Sequence, residues 1–119
     1  MQTNLFLYRT LKRGQRNHRF LAGQEFVGEA RTVPCYRLYV CHGCPCLIED
    51  AGHGEAVRGE VWSVDDDALH RIDALEEVPT LYSRRAIALQ EIPAPVAAYF
   101  YNGDVTGAAE CRGEWPSRR

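Results

Sequence analysis

The sequence predicts a single α+β domain, built on a small mixed β-barrel or a strongly curled sheet with two short helices. Seven short segments have the length and apolar, β-branched composition of strands, whereas only two segments have helical spacing. No internal repeat, low-complexity tract or linker interrupts the 119 residues. The whole chain, 1–119, is therefore predicted to form one domain.

The predicted strands are short and are separated by polar stretches that contain turn-forming residues. The clearest of them alternates between two faces, with Val57, Gly59 and Val61 on one side and Arg58 and Glu60 on the other. The seven segments are 4–8, 25–32, 36–41, 46–49, 56–64, 82–89 and 96–101.

Two segments are predicted as helices. The first covers about residues 15–22 and ends at Gly23, a common helix stop. The second begins with three aspartates, 65–67, which supply an N-cap and acidic residues that favour the positive end of the helix dipole. The tail, 103–119, is rich in glycine and is predicted to be irregular, with Trp115 holding it against the domain.

Composition excludes several classes of protein. The chain is 45% hydrophobic and 25% charged, which is ordinary for a globular domain. No apolar run approaches the roughly 18 residues that span a bilayer, and the N-terminus lacks the pattern of a signal peptide. We therefore predict a cytoplasmic protein without membrane partners.

Charge is uneven along the chain. Residues 1–37 hold seven Lys/Arg and two Asp/Glu, a net +5, and the remainder holds seven and fourteen, a net −7, which together give −2. A basic end attracts phosphates or nucleic acid, but here no aromatic-interleaved basic stripe accompanies the charge. The sequence favours a solvated basic surface over a nucleic-acid partner.

Three of the five cysteines, Cys41, Cys44 and Cys46, form the string Cys-His-Gly-Cys-Pro-Cys. A Cys-x-x-Cys pair begins some zinc and redox sites, but no second ligand pair with suitable spacing follows. A redox motif would open a helix, whereas the residues after Cys44 have extended character. The prediction is free cysteines that pack as small apolar residues, with no metal; a zinc-linked or redox-linked protein is the distant alternative.

The first strand runs directly into a polar loop that begins at Tyr8, Arg9, Thr10 and Leu11. Where a buried strand stops, backbone N–H groups lose their partners in the sheet and become available to a ligand. This loop is the first candidate binding element.

One carboxylate of the second helix faces the wrong way for a surface residue. The apolar stripe of that helix includes Leu69 and Ile72. At about 100° per residue, Glu76 falls about 20° from Leu69 and Glu77 about 80° to the other side. Glu76 is therefore predicted to face the core or a cavity, and Glu77 the solvent. Burial raises the pKa of a carboxyl group, which suits a general base near neutral pH.

A structural role for Glu76 is the alternative. The residue has possible ion-pair partners in Arg9, Arg84 and Arg85, or it caps the turn at residues 78–79. Spacing alone does not choose between these roles.

Three ordered blocks resemble the gamma-glutamylcyclotransferase-like family, in particular its gamma-glutamylamine cyclotransferase, AIG2-like branch. Residues 8–18, Tyr-Arg-Thr-Leu-Lys-Arg-Gly-Gln-Arg-Asn-His, resemble the family's Tyr-Gly-Thr-Leu-Lys-Arg-Gly-Gln-x-Asn-His. Residues 59–65 are similar to its Gly-Glu-Val-Tyr/Trp strand, and residues 73–84 to its Leu/Phe-Glu-x-x-Pro-x-x-Tyr-x-Arg block. The likeness runs from about residue 5 to residue 101.

The resemblance implies an enzyme that releases 5-oxoproline and a free amine from gamma-glutamyl amines or peptides. The family's catalytic glutamate matches Glu76, which would act as general acid and base. The loop of residues 8–11 would bind the substrate, and Tyr82 is a candidate for the pocket wall or for the core. The substrate's own amine is the nucleophile, so no metal or cofactor is implied.

Arg9 replaces the glycine of the family's signature. Its side chain has three possible placements: it blocks the pocket or pairs with Glu76, it turns outward, or it binds a carboxylate of the substrate. The alternative function is a catalytically impaired small-molecule-binding or regulatory protein with the same fold.

Overall fold

A computed structural model describes residues 1–116, which contain eight strands, one α-helix and one 3₁₀ helix. In chain order the elements are β1 (Gln2–Leu7), the 3₁₀ helix (His18–Leu21), β2 (Glu25–Arg31), β3 (Tyr36–Cys41), β4 (Cys44–Glu49), β5 (Arg58–Asp65), α1 (Asp66–Leu75), β6 (Tyr82–Ala86), β7 (Ala97–Tyr101) and β8 (Ala109–Glu110). All seven predicted strands are present, and the class is α+β.

The strands form two sheets. The larger has the order β2-β5-β1-β7-β6, in which β1 is antiparallel to β5 and parallel to β7. The smaller has the order β4-β3-β8. The described strands do not close into one ring, so the predicted barrel is not confirmed: pairing over long sequence separations divides the strands between two sheets.

Strand β1 lies inside the domain because both of its faces are covered. Phe6 is fully buried in one apolar cluster, and its neighbours Leu5 and Leu7 are buried in a second cluster on the other face. Alternate side chains of a strand point to opposite faces. The C-terminal end of β1, and the loop that follows, therefore begin in the interior.

Helix α1 begins and ends with recognisable caps. The Asp65 side chain accepts a hydrogen bond of 2.8 Å from the Ala68 N–H, as predicted for an N-cap. At the other end, Glu77 has a left-handed φ of 54°, and the Val78 N–H donates to the Asp73 carbonyl at 3.0 Å. This is the pattern of a Schellman motif, and it stops the helix immediately after Glu76.

Two predictions need correction at their boundaries. The first predicted helix, 15–22, shortens to one 3₁₀ turn, His18–Leu21. The tail, predicted to be irregular from 103, contains the short strand Ala109–Glu110, which pairs with β3. Trp115 is partly buried against the core, and its carbonyl accepts a hydrogen bond from Lys12 Nζ. Residues 117–119 lie outside the described residues.

Gly59 gives a test of how tightly β5 packs against β1. A Cβ atom at this position would lie 2.6 Å from the Leu7 carbonyl oxygen and 2.7 Å from the Phe6 ring. We expect Gly59→Ala to lower the free energy of unfolding by about 1–3 kcal/mol, the usual cost of overpacking, measured by urea denaturation. Gly28→Ala is the matched control, because nothing lies within 4 Å of its Cβ position. Equal stability of the two variants would contradict this packing.

Candidate functional site

The candidate site forms where the end of β1 meets the end of α1. Glu76 is the C-cap residue of α1, and its side chain is only 2% exposed, whereas Glu77 is exposed. The predicted orientations of both glutamates are confirmed. The Schellman turn explains the contrast, because the left-handed residue at 77 turns the chain outward immediately after the buried carboxylate.

Arg9 reaches Glu76 from the loop after β1. Its Nη1 donates to Glu76 Oε1 at 2.7 Å, and its guanidinium carbon lies 4.8 Å from the centre of the Tyr82 ring. Of the three placements open to Arg9, the structure has the inward one with the ion pair. The Nε–H of Arg9 is buried and has no hydrogen-bond partner in the described part of the chain.

The ionisation of this pair is set by burial and by mutual attraction. Burial raises the pKa of Glu76, Arg9 opposes that rise, and the nearby Asp73 adds to it. Burial lowers the pKa of Arg9, but the combined attraction of Glu76 and of the neighbouring Tyr82, Tyr8 and Cys44 outweighs it, so the pKa of Arg9 is raised. The carboxyl group thus keeps a raised pKa even beside a guanidinium, as a group that exchanges protons near neutral pH requires.

The side chains of the other three loop residues are buried inside the domain. Tyr8 is buried and donates from its hydroxyl to the Tyr99 carbonyl at 2.5 Å. Thr10 Oγ1 accepts from Asn17 Nδ2 at 2.8 Å, and the Leu11 side chain is buried in the apolar core. These side chains hold the loop in shape.

The backbone of the same loop offers unused donors. Within residues 1–116, the N–H groups of Arg9, Thr10 and Leu11 have no hydrogen-bond acceptor. Three consecutive unpaired N–H groups, in the loop whose Arg9 side chain contacts Glu76, can donate to an anionic ligand group.

Tyr82 lies at the edge of the site. Its hydroxyl donates to the Pro45 carbonyl at 3.0 Å and lies 3.8 Å from the Cys46 sulfur. Burial raises the pKa of Tyr82 far above its usual value, so the phenol stays protonated. Its ring faces Arg9, and its hydroxyl is fixed on the smaller sheet.

Asp73 is part of the site and was not predicted. It accepts two hydrogen bonds from Arg84, at 3.0 and 3.2 Å, and one from the Tyr99 hydroxyl at 2.7 Å. Its position three residues before Glu76 on one helix was the available signal. Of the predicted alternative partners of Glu76, Arg84 binds Asp73 and Arg85 binds Glu49 at 2.7 Å.

A cavity of about 360 Å³ lies along β2 and β5, with Arg31, Arg58 and Glu60 in its lining, and it includes neither Glu76 nor Arg9. No group of three His, Cys, Asp or Glu among residues 1–116 is arranged to hold a metal ion. No helix of that range has the length and apolar character to cross a membrane.

Comparison with known proteins identifies relatives along most of the chain. Residues 5–117 match the family described as Gamma-glutamyl cyclotransferase, AIG2-like. A putative gamma-glutamylcyclotransferase of Vibrio cholerae is 41% identical over 87 residues, covering 73% of this chain and 73% of the relative. Gamma-glutamylaminecyclotransferase of Homo sapiens is 38% identical over 110 residues, covering 78% and 72%.

Solved structures have the same fold. The crystal structure of an AIG2-like protein from Mus musculus aligns with a TM-score of 0.77 at 30% identity, covering 85% of this chain and 78% of that one. A uropathogenic E. coli-specific protein aligns with a TM-score of 0.81 at 26% identity, covering 97% and 93%. This chain therefore belongs to the gamma-glutamyl cyclotransferase, AIG2-like family.

Proposed function

We propose that the protein releases 5-oxoproline and a free amine from gamma-glutamyl amines, with Glu76 as general acid and base. The observation that carries the proposal is the position of Glu76: a buried carboxyl group with a raised pKa, in contact with the loop that follows β1. The relatives named gamma-glutamylaminecyclotransferase support this choice of substrate class.

The reaction joins two atoms of one substrate molecule. The α-amine attacks the γ-carbonyl carbon, a new C–N bond closes the five-membered ring, and the bond to the leaving nitrogen breaks. Glu76 removes a proton from the α-ammonium group and gives it to the leaving nitrogen; it then accepts the second proton that the ring nitrogen loses on ring closure, and that proton passes to solvent. Well-oriented intramolecular reactions gain up to about 7–11 kcal/mol over their bimolecular counterparts, and the protein's share is to hold the substrate in the folded, reactive shape.

The loop binds the charged groups of the substrate in this proposal. The unpaired N–H groups of Arg9, Thr10 and Leu11 donate to the α-carboxylate and to the oxyanion that develops on the γ-carbonyl. Arg9 adds a donor that a glycine at this position would lack, because its buried Nε–H has no partner among the described residues. The Tyr82 ring packs against the guanidinium of Arg9 in a cation–π contact.

A second candidate is a small-molecule-binding protein of the same family without turnover. The observation in its favour is the Arg9–Glu76 ion pair at 2.7 Å, which holds a guanidinium where the acid/base group would meet substrate. A carboxylate tied in this way binds protons less readily, since Arg9 opposes the rise in the pKa of Glu76.

One experiment separates the two functions. Purified protein is incubated with a panel of gamma-glutamyl amines, and 5-oxoproline is quantified by mass spectrometry for the parent chain and for Arg9→Gly. If the protein is the proposed enzyme, the parent chain, with Arg9 in place, releases 5-oxoproline. Turnover by Arg9→Gly alone would favour the binding protein, and no release by either, with ligand binding retained, would overturn the cyclotransferase.

A further inference from the structure

Three cysteines share one face of the β3–β4 hairpin. Cys41 is paired directly opposite Cys44, and Cys46 is paired opposite Tyr39, two residues further along. Paired residues and their i+2 neighbours lie on the same face of a two-stranded ladder. The two residues between Cys41 and Cys44 form a tight turn with φ of 53° at His42 and 78° at Gly43, so the register at Cys41 and Cys44 is fixed.

The spacing of Cys41 and Cys44 suits a disulfide. Directly opposed residues of an antiparallel pair have Cα atoms about 4.5–5.5 Å apart, and disulfides join residues with Cα atoms about 4.4–6.8 Å apart. Both residues are free cysteines and partly exposed. A bond between them requires rotation of the two side chains and no change of strand pairing.

Cys46 is the competing thiol, and its surroundings differ. It is 1% exposed, and burial together with a hydrogen bond to the Cys41 thiol raises its pKa to about 12, so its sulfur stays protonated and shielded although it lies beside Cys41. Its thiol lies 3.8 Å from the Tyr82 hydroxyl. Cys44, by contrast, is partly exposed, and Arg16 Nη2 lies 3.9 Å from its sulfur, which places a cation beside any thiolate formed there.

We propose that Cys41 and Cys44 form a reversible disulfide when the folded protein meets a peroxide. The Cys44 thiol attacks one peroxide oxygen, the O–O bond breaks, and a sulfenic acid and water are formed. The Cys41 thiol then attacks the Cys44 sulfur, the S–O bond breaks, and a second water leaves as the S–S bond closes. Two thiols lose two electrons and the peroxide gains them; a dithiol reductant reverses the change.

This modification site borders the candidate active site and does not depend on the proposed function. Cys44 is close enough to Arg9 to contribute to the rise in the pKa of that guanidinium, and Cys46 contacts Tyr82. The hairpin that would be cross-linked therefore touches the residues around Glu76. The test below reads the chemistry of the thiols directly, without an activity measurement.

The experiment exposes the folded protein to hydrogen peroxide. Free thiols are then alkylated with one reagent under denaturing conditions, and thiols released by a dithiol reductant are alkylated with a second. Trypsin cleaves after Arg37 and Arg58, which leaves all three thiols in one peptide, 38–58, so fragment ions must locate the two labels. We expect two of the five thiols to be lost and the second label on Cys41 and Cys44, with Cys46 carrying the first.

Variants fix the assignment. Cys44→Ser is expected to lose the disulfide, whereas Cys46→Ser and the distant control Cys35→Ser keep it. The proposal is overturned if the second label appears on Cys41 and Cys46, if Cys46→Ser abolishes the bond while Cys44→Ser does not, or if no internal disulfide forms under excess peroxide. Circular dichroism of each variant verifies that the strands are retained.

Discussion

Glu76→Gln is expected to lower the rate of 5-oxoproline release by about 10²–10⁴-fold, the usual contribution of a general acid/base group. Glutamine keeps the shape and the oxygen that accepts from Arg9, but it neither takes up nor releases a proton. The carboxylate is 2% exposed, so bulk water has little access to replace it. Release is measured by mass spectrometry under saturating gamma-glutamyl amine, and the loss should fall on kcat.

Glu77→Gln is the matched control for this prediction. It is the same substitution at the adjacent position, but its side chain is exposed and directed away from the site. We expect its rate to stay within about twofold of the parent, in line with the small effects of surface substitutions. Thermal unfolding of both variants verifies folding. Equal activity of Glu76→Gln and the parent would remove Glu76 from the mechanism.

Arg9→Met is expected to destabilise the protein by about 3–5 kcal/mol at neutral pH, because it leaves the Glu76 carboxylate buried without its cation. Methionine retains much of the packing over Tyr82, so the loss reports mainly on charge. The measurement is urea unfolding of the variant and the parent at a series of pH values.

The pH dependence of that loss has a definite sign. Burial raises the pKa of Glu76, whereas the charge of Arg9 lowers that pKa. Removing Arg9 therefore raises the pKa of Glu76 further. A carboxyl group whose pKa is raised in the folded state stabilises the fold fully at pH values below its pKa in the unfolded chain, about 4.3. This stabilisation is lost as the pH rises through the pKa of the folded state. The deficit of Arg9→Met should therefore grow from acidic to neutral pH.

Arg9→Lys is the control for this experiment, since it keeps a cation near Glu76 but not the planar guanidinium. We expect a smaller loss of stability and a weaker pH dependence than for Arg9→Met. A loss for Arg9→Met that is the same at every pH would mean that packing over Tyr82, and not the ion pair, is the contribution of Arg9.

Local patterns in the sequence predicted much of this site. Helical periodicity alone placed Glu76 inward and Glu77 outward, because both depend only on 3.6 residues per turn and on the apolar stripe. The end of β1 was predicted from its apolar run, and the N-cap Asp65 from its side chain. Each of these features is decided within about ten residues of chain.

Features that join distant segments were not predictable. The partner of Glu76 is Arg9, which lies 67 positions away in the chain. From the sequence alone, Arg9, Arg84 and Arg85 were equally possible partners. Asp73 was overlooked because its partners, Arg84 and Tyr99, reach it only after β6 and β7 have paired. Whether strands close into a barrel likewise depends on long-range pairing.

The most direct test of the account is a crystal structure with 5-oxoproline bound. We expect the ring N–H of the product to lie within hydrogen-bond distance of the Glu76 carboxylate, and its carboxylate to accept from the N–H groups of the loop after β1. Product bound elsewhere, for example in the cavity along β2 and β5, with Glu76 still closed by Arg9, would contradict the proposed role of Glu76.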